Sequence, residues 1–480
     1  MKYIQNFKNK IWPLLNSLFI FLSVVSIFIN RRILLKSFSN IPHDYQSIFI
    51  NFSDIAIILF LIYFLFYLAL NKRIFSEFKD YIRHFKYLIL IGLGFILFSK
   101  TSTLFSPIPI FSLVSLIRIY LIFLYSFSLG FLLSDRGLLK RFLILIVSFG
   151  VFNSLIATYQ FFAFKSFGLQ FIGEPVLSFL PGISKVAFPG TILIRGYGLF
   201  SHPNILGAYL FLCIMVCVYF IEKIVDNVIP AKAGIQKIIK LLLAEISLVL
   251  LVFGLVVSFS RSAILVSIVA LAMFFFLKLR NSASSVIPAK AGIHKRIFGI
   301  FSIVFSIFIA SFILGDIILP RFQGLVGSEA FVDRIKYSQM ALQTIKQHPI
   351  LGIGIGGGVS YFLKNNIYSM FGFNNSWQFE PVHNLYLIIM LEIGLFGLFF
   401  FLLFIFNLLI RISKLIFKKS DNKLALILCL SVLVGNLTLG IFDHYFWDSS
   451  SGILIFWTAI TISLSIIFSN RQRKMQDIVY

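Results

Sequence analysis

The stretch FEPVHNLYLIIMLEIGLFG, residues 379–397, changes from polar to apolar within a few residues. The apolar run that begins there continues over 385–409. A helix needs about 20 apolar residues to cross the hydrocarbon core of a bilayer, so this run predicts a membrane span. His383 and Asn384 would then lie where the span meets water. They either cap the helix or carry chemistry at the membrane surface.

The whole composition agrees with a membrane protein. Of the 480 residues, 59% are hydrophobic and 17% are aromatic, more than a soluble core of this size needs. The backbone must satisfy its own hydrogen bonds in lipid, so we predict an all-α integral membrane protein that forms a single polytopic domain over 1–480. About 12 transmembrane helices are expected, at 11–29, 55–70, 87–99, 108–133, 142–163, 205–222, 241–259, 263–279, 297–314, 385–409, 424–442 and 453–469.

The basic charge predicts the orientation. The net charge is +24, and 28 Lys and Arg residues fall in the segments that are inside if the N-terminus is cytoplasmic, against 13 in the outer segments. Both termini of this multi-pass protein are therefore predicted to be cytoplasmic. This distribution does not indicate nucleic acid, whereas membrane lipids and a phosphorylated substrate remain possible partners. The first run lacks a small-residue cleavage site and predicts a retained helix.

Two predicted outer loops are long, at 164–204 and 315–384. The second contains FVDRIKYSQMALQTIKQ (331–347), whose apolar spacing predicts a helix on the membrane surface. HPILGIGIGGGVS (348–360) follows, and its glycines predict a turn with close backbone packing. A phosphate-cradling loop is the alternative, although no GK[ST] sequence follows.

An internal repeat lies in two predicted cytoplasmic loops, 227–237 and 285–295, which share VIPAKAGI. The flanking spans are unlike each other, so we interpret the copies as insertions that loops tolerate, with no catalytic role. The three cysteines all lie in apolar runs, which favours structural roles over a disulfide or a metal site.

Ionisable residues gather at span ends on the predicted outer side, where charge in a membrane protein invites a functional interpretation. ILIRGYGLFSHPN (192–204) contains Arg195, His202 and Asn204 before the sixth span. The alternative for this group is interfacial anchoring and helix capping. Arg261, at a tight hairpin in VVSFSRSAIL (256–265), either snorkels to lipid phosphate or binds a substrate phosphate through its planar fork of donors.

Other candidates are weaker by themselves. His383 can exchange a proton near neutral pH, but a lone interfacial histidine is typical of a cap. Asp443, His444 and Trp447 in IFDHYFWDSS favour aromatic anchoring at the interface. Arg334 either contacts a diphosphate or lipid head groups, or lies on a solvated helix face.

The order of these motifs is more specific than any one of them. GYGLFSHPN precedes one span, SRSA follows another, and RIKYSQMALQTIKQHPILGIGIGG leads to PVHNLYL at the start of a third. Over roughly 190–400 this order resembles the O-antigen ligase and Wzy-type polymerase superfamily of bacterial membrane glycan transferases. The resemblance implies a GT-C-like fold in the bacterial inner membrane, with a long periplasmic loop that contains short helices.

The resemblance also implies an activity. It implies a metal-independent transferase without a cofactor, which takes a glycan from an undecaprenyl-diphosphate-linked donor to lipid A core or another acceptor. Arg195 and Arg261 match the arginines that hold the donor diphosphate, and His383 matches the histidine beside the acceptor, as a general base or as an orienting group. The further residues expected to bind substrate are His202, Asn204, Arg334 and Asn384.

Three other functions remain open. A polymerase or a protein O-oligosaccharyltransferase would use the same donor, so the same arginines and histidine would be present. A polysaccharide transporter would instead place polar residues in the middle of many spans. Arg118, Glu245 and Glu392 are the main such residues here, which favours chemistry at one face over passage.

Overall fold

The computed structural model describes residues 2–38, 44–179, 182–188, 191–228, 235–282, 302, 304–306, 329–418 and 422–479. The helices are α1 Lys2–Val25, α2 Phe52–Leu70, α3 Lys72–His84, α4 Lys86–Ser102, α5 Pro109–Leu132, α6 Arg136–Ala163, α7 Pro203–Val228, α8 Ile235–Val257, α9 Arg261–Ser282, α10 Glu329–Gln347, α11 Gly358–Lys364, α12 Ile367–Met370, α13 Leu385–Ile416, α14 Lys423–Phe442, α15 Tyr445–Asp448 and α16 Ser450–Val479. Short 3-10 turns lie at Asp44–Gln46, Thr103–Phe105, Gln170–Ile172 and Ser376–Gln378.

Ten helices in the described part of the chain are long and apolar enough to cross a membrane, so this is a multi-pass membrane protein. They are α2, α4, α5, α6, α7, α8, α9, α13, α14 and α16, and each coincides with a predicted span. The predicted span 11–29 falls largely on α1, whose apolar part, Ile11–Val25, is shorter. The predicted span 297–314 lies mostly outside the described residues, as do the repeat copy 285–295 and residues 229–234 of the first copy.

Two antiparallel hairpins depart from the all-helical expectation. Strand β1 (Arg32–Ser37) pairs with β2 (Ser47–Asn51), and β3 (Lys185–Phe188) pairs with β4 (Thr191–Ile194). Both hairpins lie in connections between predicted spans. Their strands hold four to six residues, too few to give a clear alternating pattern against the apolar background.

The chain divides into two compact units. Unit one comprises 1–139, 326–411 and 440–480, and unit two comprises 140–325 and 412–439. In unit one, α5 packs on α2 and α16. Aromatic rings fill this core, where Tyr81 makes edge contacts with Phe131 and Phe468.

Unit two is built around α7, which packs on α8 and α9. Close approach to α6 depends on Gly150, because a Cβ there would lie 2.6 Å from the Cys213 sulfur. Cys213 and Cys217 are buried thiols that donate to backbone carbonyl oxygens, and Cys429 is also buried. These contacts agree with the predicted structural role of Cys213 and Cys217.

Helix α13 is interrupted at Gly394, where φ is 77° and ψ is −172°. A Cβ at this position would clash with the carbonyl oxygen of Ile350. The glycine-rich stretch inserts at this break, so the predicted close backbone packing is confirmed. Its bonds to the helix run from the N–H of Ile353 to Leu391 O at 3.0 Å, from Gly354 to Glu392 O at 3.0 Å, and from Leu395 to Pro349 O at 2.8 Å.

Candidate active site

Arg195 lies in unit two with its guanidinium almost fully buried, at 7% exposure. Its Nε donates to the carbonyl oxygen of Ser258 at 2.8 Å, and its Nη2 donates to Oδ1 of Asn204 at 2.7 Å. The planar fork is thereby fixed in one orientation. Asn204 therefore orients the arginine from the first turn of α7.

His202 occupies the turn before α7. Its Nδ1 accepts the backbone N–H of Asn204 at 3.1 Å, and its Nε2 lies 2.9 Å from the Ser184 hydroxyl. The first of these bonds is local, as in a helix cap. The Nδ1 contact therefore agrees with the capping alternative. The Nε2 contact links Ser184, just before β3, to the turn before α7.

Two uncharged residues of α6 hold the GYGLF segment. Gln160 Oε1 accepts the backbone N–H groups of Tyr197 and Gly198 at 2.9 and 2.8 Å. Asn153 Oδ1 accepts the N–H of Leu199 at 3.0 Å. Neither residue was among the predicted candidates, which were mostly ionisable groups at span ends. Their amide groups inside an apolar run were the available signal.

Arg261 is the first residue of α9 and is partly exposed. The preceding turn is tight, with Phe259 at a φ of 50°. The same turn receives Arg195 through Ser258, and the Gly196 N–H donates to Val257 O at 2.9 Å. The structure therefore brings the two predicted arginines to one turn of unit two.

His383 lies in unit one, just before α13. Its ring stacks on Tyr337 with centroids 5.6 Å apart and meets the His444 ring edge-on at 4.9 Å. Its Nε2 is 3.3 Å from a Glu380 carboxylate oxygen. Its Nδ1 is buried and has no hydrogen-bond partner among the described residues. With the Nε2 hydrogen directed at Glu380, Nδ1 is the nitrogen left to accept a proton.

His444 is buried beside His383, with its Nδ1 2.7 Å from Asp448 Oδ2 and its Nε2 3.8 Å from Asp443 Oδ1. Burial lowers the pKa of this imidazole, but the attraction of Asp448, followed by that of Asp443 and Glu380, outweighs it and raises the pKa to about 9. His444 is therefore an imidazolium at neutral pH. The expectation of interfacial anchoring is wrong for Asp443 and His444, which are 5% and 9% exposed and belong to a buried charge cluster.

Glu392 binds the backbone of the glycine-rich stretch, residues 348–360. Its carboxylate accepts the N–H groups of Gly356 at 2.7 Å and Gly358 at 3.2 Å. It also accepts the indole N–H of Trp447 at 2.6 Å. These two glycine N–H groups already bind a carboxylate of the chain itself, so the structure does not favour the phosphate-cradling alternative.

Asn384 caps α13. Its Oδ1 accepts the backbone N–H groups of Tyr386 and Leu387, each at 3.0 Å, which is the side-chain capping pattern of a helix start. Its Nδ2 donates to Ile441 O at 3.0 Å, at the end of α14. The capping alternative is therefore right for Asn384.

Arg334, on α10, is close enough to Tyr445 for its charge to matter. Burial and Asp443 raise the pKa of the Tyr445 phenol, and Arg334 lowers it. The Arg334 guanidinium makes no hydrogen bond or ion pair with any other residue that the structure describes. The predicted residues are thus divided: Arg195, His202, Asn204 and Arg261 lie in unit two, and Arg334, His383 and Asn384 in unit one.

One group in unit one has metal-ligating donor types. One atom each from His383, Asp443 and His444 lies within 4.8 Å of the others. Asp448 engages Nδ1 of His444, so Nε2 is the ring nitrogen that faces Asp443. These residues form a network of charges and hydrogen bonds.

Comparison with known proteins supports the motif order. The family model described as O-Antigen ligase matches residues 246–402. The matched region includes Arg261, Arg334, His383 and Asn384, and it ends within α13. A search of the curated proteins found no match.

Proposed function

We propose that the chain is an O-antigen ligase-type glycosyltransferase, because residues 246–402 match the family model described as O-Antigen ligase. It moves a glycan from undecaprenyl diphosphate to lipid A core on the periplasmic side of the bacterial inner membrane. Both termini are cytoplasmic, and the transfer needs no metal ion.

The observation that supports this proposal best is the environment of His383. The residue lies inside the region that the family matches, and its buried Nδ1 lacks a partner among the described residues while Glu380 lies at Nε2. This arrangement suits a general base, because the carboxylate orients the ring and favours the imidazolium that forms after proton transfer.

The proposed step is a direct displacement. The acceptor hydroxyl oxygen attacks the anomeric carbon of the donor, and the hydroxyl proton passes to Nδ1 of His383. The bond between that carbon and the diphosphate oxygen breaks, and the electron pair leaves with the lipid diphosphate. Attack from the opposite side inverts the configuration at the anomeric carbon.

The arginines stabilise the leaving group. Arg261 opens α9, where the helix dipole and the first backbone N–H groups also favour an anion. Arg195 is held by Ser258 and Asn204, so its orientation is set before the donor arrives. Pre-organised donors of this kind contribute most where charge develops in the transition state.

The same site serves a Wzy-type polymerase or a protein O-oligosaccharyltransferase, which differ only in the acceptor. A transporter is less well supported. Arg118, one of the few charges within the spans, is neutralised by Asp54, whose carboxylate oxygen lies 3.0 Å from Nη2. A paired charge of this kind stabilises a helix contact rather than a path for a polar substrate.

An acceptor panel tests the proposal. Purified wild type in liposomes with EDTA receives undecaprenyl-diphosphate glycan and one of three acceptors: lipid A core, a second carrier-linked glycan, or a periplasmic protein. We expect a glycan bound covalently to lipid A core. Elongation on the carrier alone would identify a polymerase, and transfer to protein alone an oligosaccharyltransferase. Absence of any covalent product would refute the transferase proposal.

A further inference from the structure

We propose that His444, held by Asp448, is a positioning residue for His383 and presents a fixed positive charge to its ring. This charge opposes the field of the carboxylates around His383 when the acceptor proton arrives. The inference deepens the proposed function and rests on it.

The geometry of the two rings supports this role. The His444 ring stands at 87° to His383 with centroids 4.9 Å apart, so an edge of one ring points at the face of the other. Tyr337 stacks on the same imidazole at an interplanar angle of 23°. His383 thus contacts one ring that is nearly parallel to it and one that is nearly perpendicular, and both contacts restrict its rotation.

Asp448 fixes His444 in turn. Both carboxylate oxygens of Asp448 lie near Nδ1 of His444, at 2.7 and 2.9 Å. The His444 backbone N–H donates to Asp443 Oδ1 at 2.9 Å. These contacts restrict rotation of the His444 side chain, so its charge stays beside His383. Asp448 also stabilises the charged form, since an ion pair in a buried site is screened little.

The groups around His383 and His444 carry charges of both signs, and all of them contribute to the electrostatic field at His383. The groups that face it are Tyr337 and Arg334 from α10, Glu380 from the preceding loop, Tyr45 from the first connection, and Asp443, Tyr445 and Asp448 from the segment after α14. Three of these groups are carboxylates. The His444 charge opposes the negative field that these carboxylates create at His383.

His444 keeps its own proton throughout the reaction. Its pKa, raised to about 9, exceeds that of a typical imidazole, so it does not accept the acceptor proton. The proton taken from the acceptor hydroxyl stays on Nδ1 of His383 until solvent removes it. His444 therefore acts through His383 and not on the substrate.

The test is the pH dependence of glycan transfer by wild type and the H444Q variant. Removing the positive charge leaves the carboxylates in place, so the acidic limb of the pH–rate profile should move to higher pH by about one unit. At a pH on that limb the rate should fall about tenfold, while at high pH most of it should return. A purely structural role would lower the rate at every pH without moving the limb.

A double variant and a control make the test decisive. H444Q/D448N removes both charges, so the limb should return towards its wild-type position while the rate stays lower because the ring contact is lost. This variant also removes the Asp448 carboxylate that H444Q would leave without its partner, which keeps the test available if H444Q fails to fold. H348Q changes a histidine that contacts Tyr361 outside the cluster, and it should match wild type.

The outcomes are distinct. If H444Q and wild type share one profile, or if the double variant transfers glycan as fast as wild type with the limb unmoved, His444 does not position His383. If wild type itself forms no covalent product, the proposed function fails instead.

Discussion

At the scale of residues, the candidate residues of unit two and those of unit one differ in how they are held. Arg195 is fixed by a backbone carbonyl oxygen and an amide oxygen, both neutral acceptors. His383 is fixed by an aromatic ring, a second imidazole and a carboxylate. The guanidinium of Arg195 is thereby oriented, whereas the imidazole of His383 lies beside a carboxylate and is oriented for proton transfer.

Replacement of Arg195 by Lys should lower stability and weaken donor binding, although the positive charge is retained. A lysine cannot reach Ser258 O and Asn204 Oδ1 together with the fork geometry of a guanidinium, so one buried acceptor loses its donor. We expect the protein to lose about 1–3 kcal/mol of stability and the KM for the donor to rise. Thermal unfolding and donor titration measure both effects. R280K, at the other end of α9, is the control and should change neither.

The charge of His444 predicts a pH dependence of stability. The pKa of this group is about 9 in the folded protein, above the ordinary value of 6.5. Its contribution is therefore fully present below pH 6.5 and is lost as pH rises through 9. Between wild type and H444Q/D448N, the difference in thermal unfolding temperature should shrink over that interval. A difference that stays constant across it would contradict the assigned charge.

At the scale of elements, the break in α13 helps to position the candidate residues of unit one. The helix resumes after Gly394, and the glycine-rich stretch fills the gap with backbone hydrogen bonds. Glu392 then connects that stretch to Trp447 in the segment that carries His444. Non-helical backbone at this depth is tolerated because it is buried in protein and its polar groups are paired.

Gly394→Ala should disrupt this arrangement. A Cβ would clash with Ile350 O, and the positive φ is unfavourable for any residue with a side chain. We expect a loss of several kcal/mol, with loss of transfer activity, because strain and displaced backbone act together. Thermal unfolding in detergent measures the change. G137A is the control, because Gly137 is helical and a Cβ there would approach the Asp135 carboxylate and no other group within 4 Å. Wild-type stability of G394A would contradict the proposed role of the break in α13.

The sequence predicted the spans well because their signal is local. Apolar runs of the required length identify ten helices of the structure, and helical spacing over 331–347 correctly predicted α10. The buried cluster was not predictable in this way. His383 and His444 are 61 positions apart in the sequence. Their contact depends on the tertiary arrangement of the segment before α13 and the segment after α14. Asn153 and Gln160 were missed because neutral amides barely alter the hydropathy of a span.

At the scale of the whole molecule, the central expectation is the orientation in the membrane. The excess of basic residues predicts one side for the termini and the opposite side for the loops that carry His383 and Arg195. A site that uses a periplasmic donor requires this orientation.

Cysteine labelling tests the orientation. Lys165 lies in a predicted periplasmic loop and Lys79 in a predicted cytoplasmic one, and both side chains are exposed. The three native cysteines are buried, so the background should be low. In spheroplasts, a membrane-impermeant maleimide should label K165C and not K79C. The opposite pattern would invert the topology and remove the site from the periplasm.

The most direct measurement compares glycan transfer by wild type, H383A and R261A in liposomes with EDTA, with H348Q and R280A as controls. We expect wild type and both controls to transfer glycan to lipid A core. H383A should lose about 10²–10⁴-fold in rate, the typical contribution of a general base, and R261A should lose a comparable factor through the leaving group. Full activity of folded H383A and R261A would contradict the assignment of these residues to the transfer site.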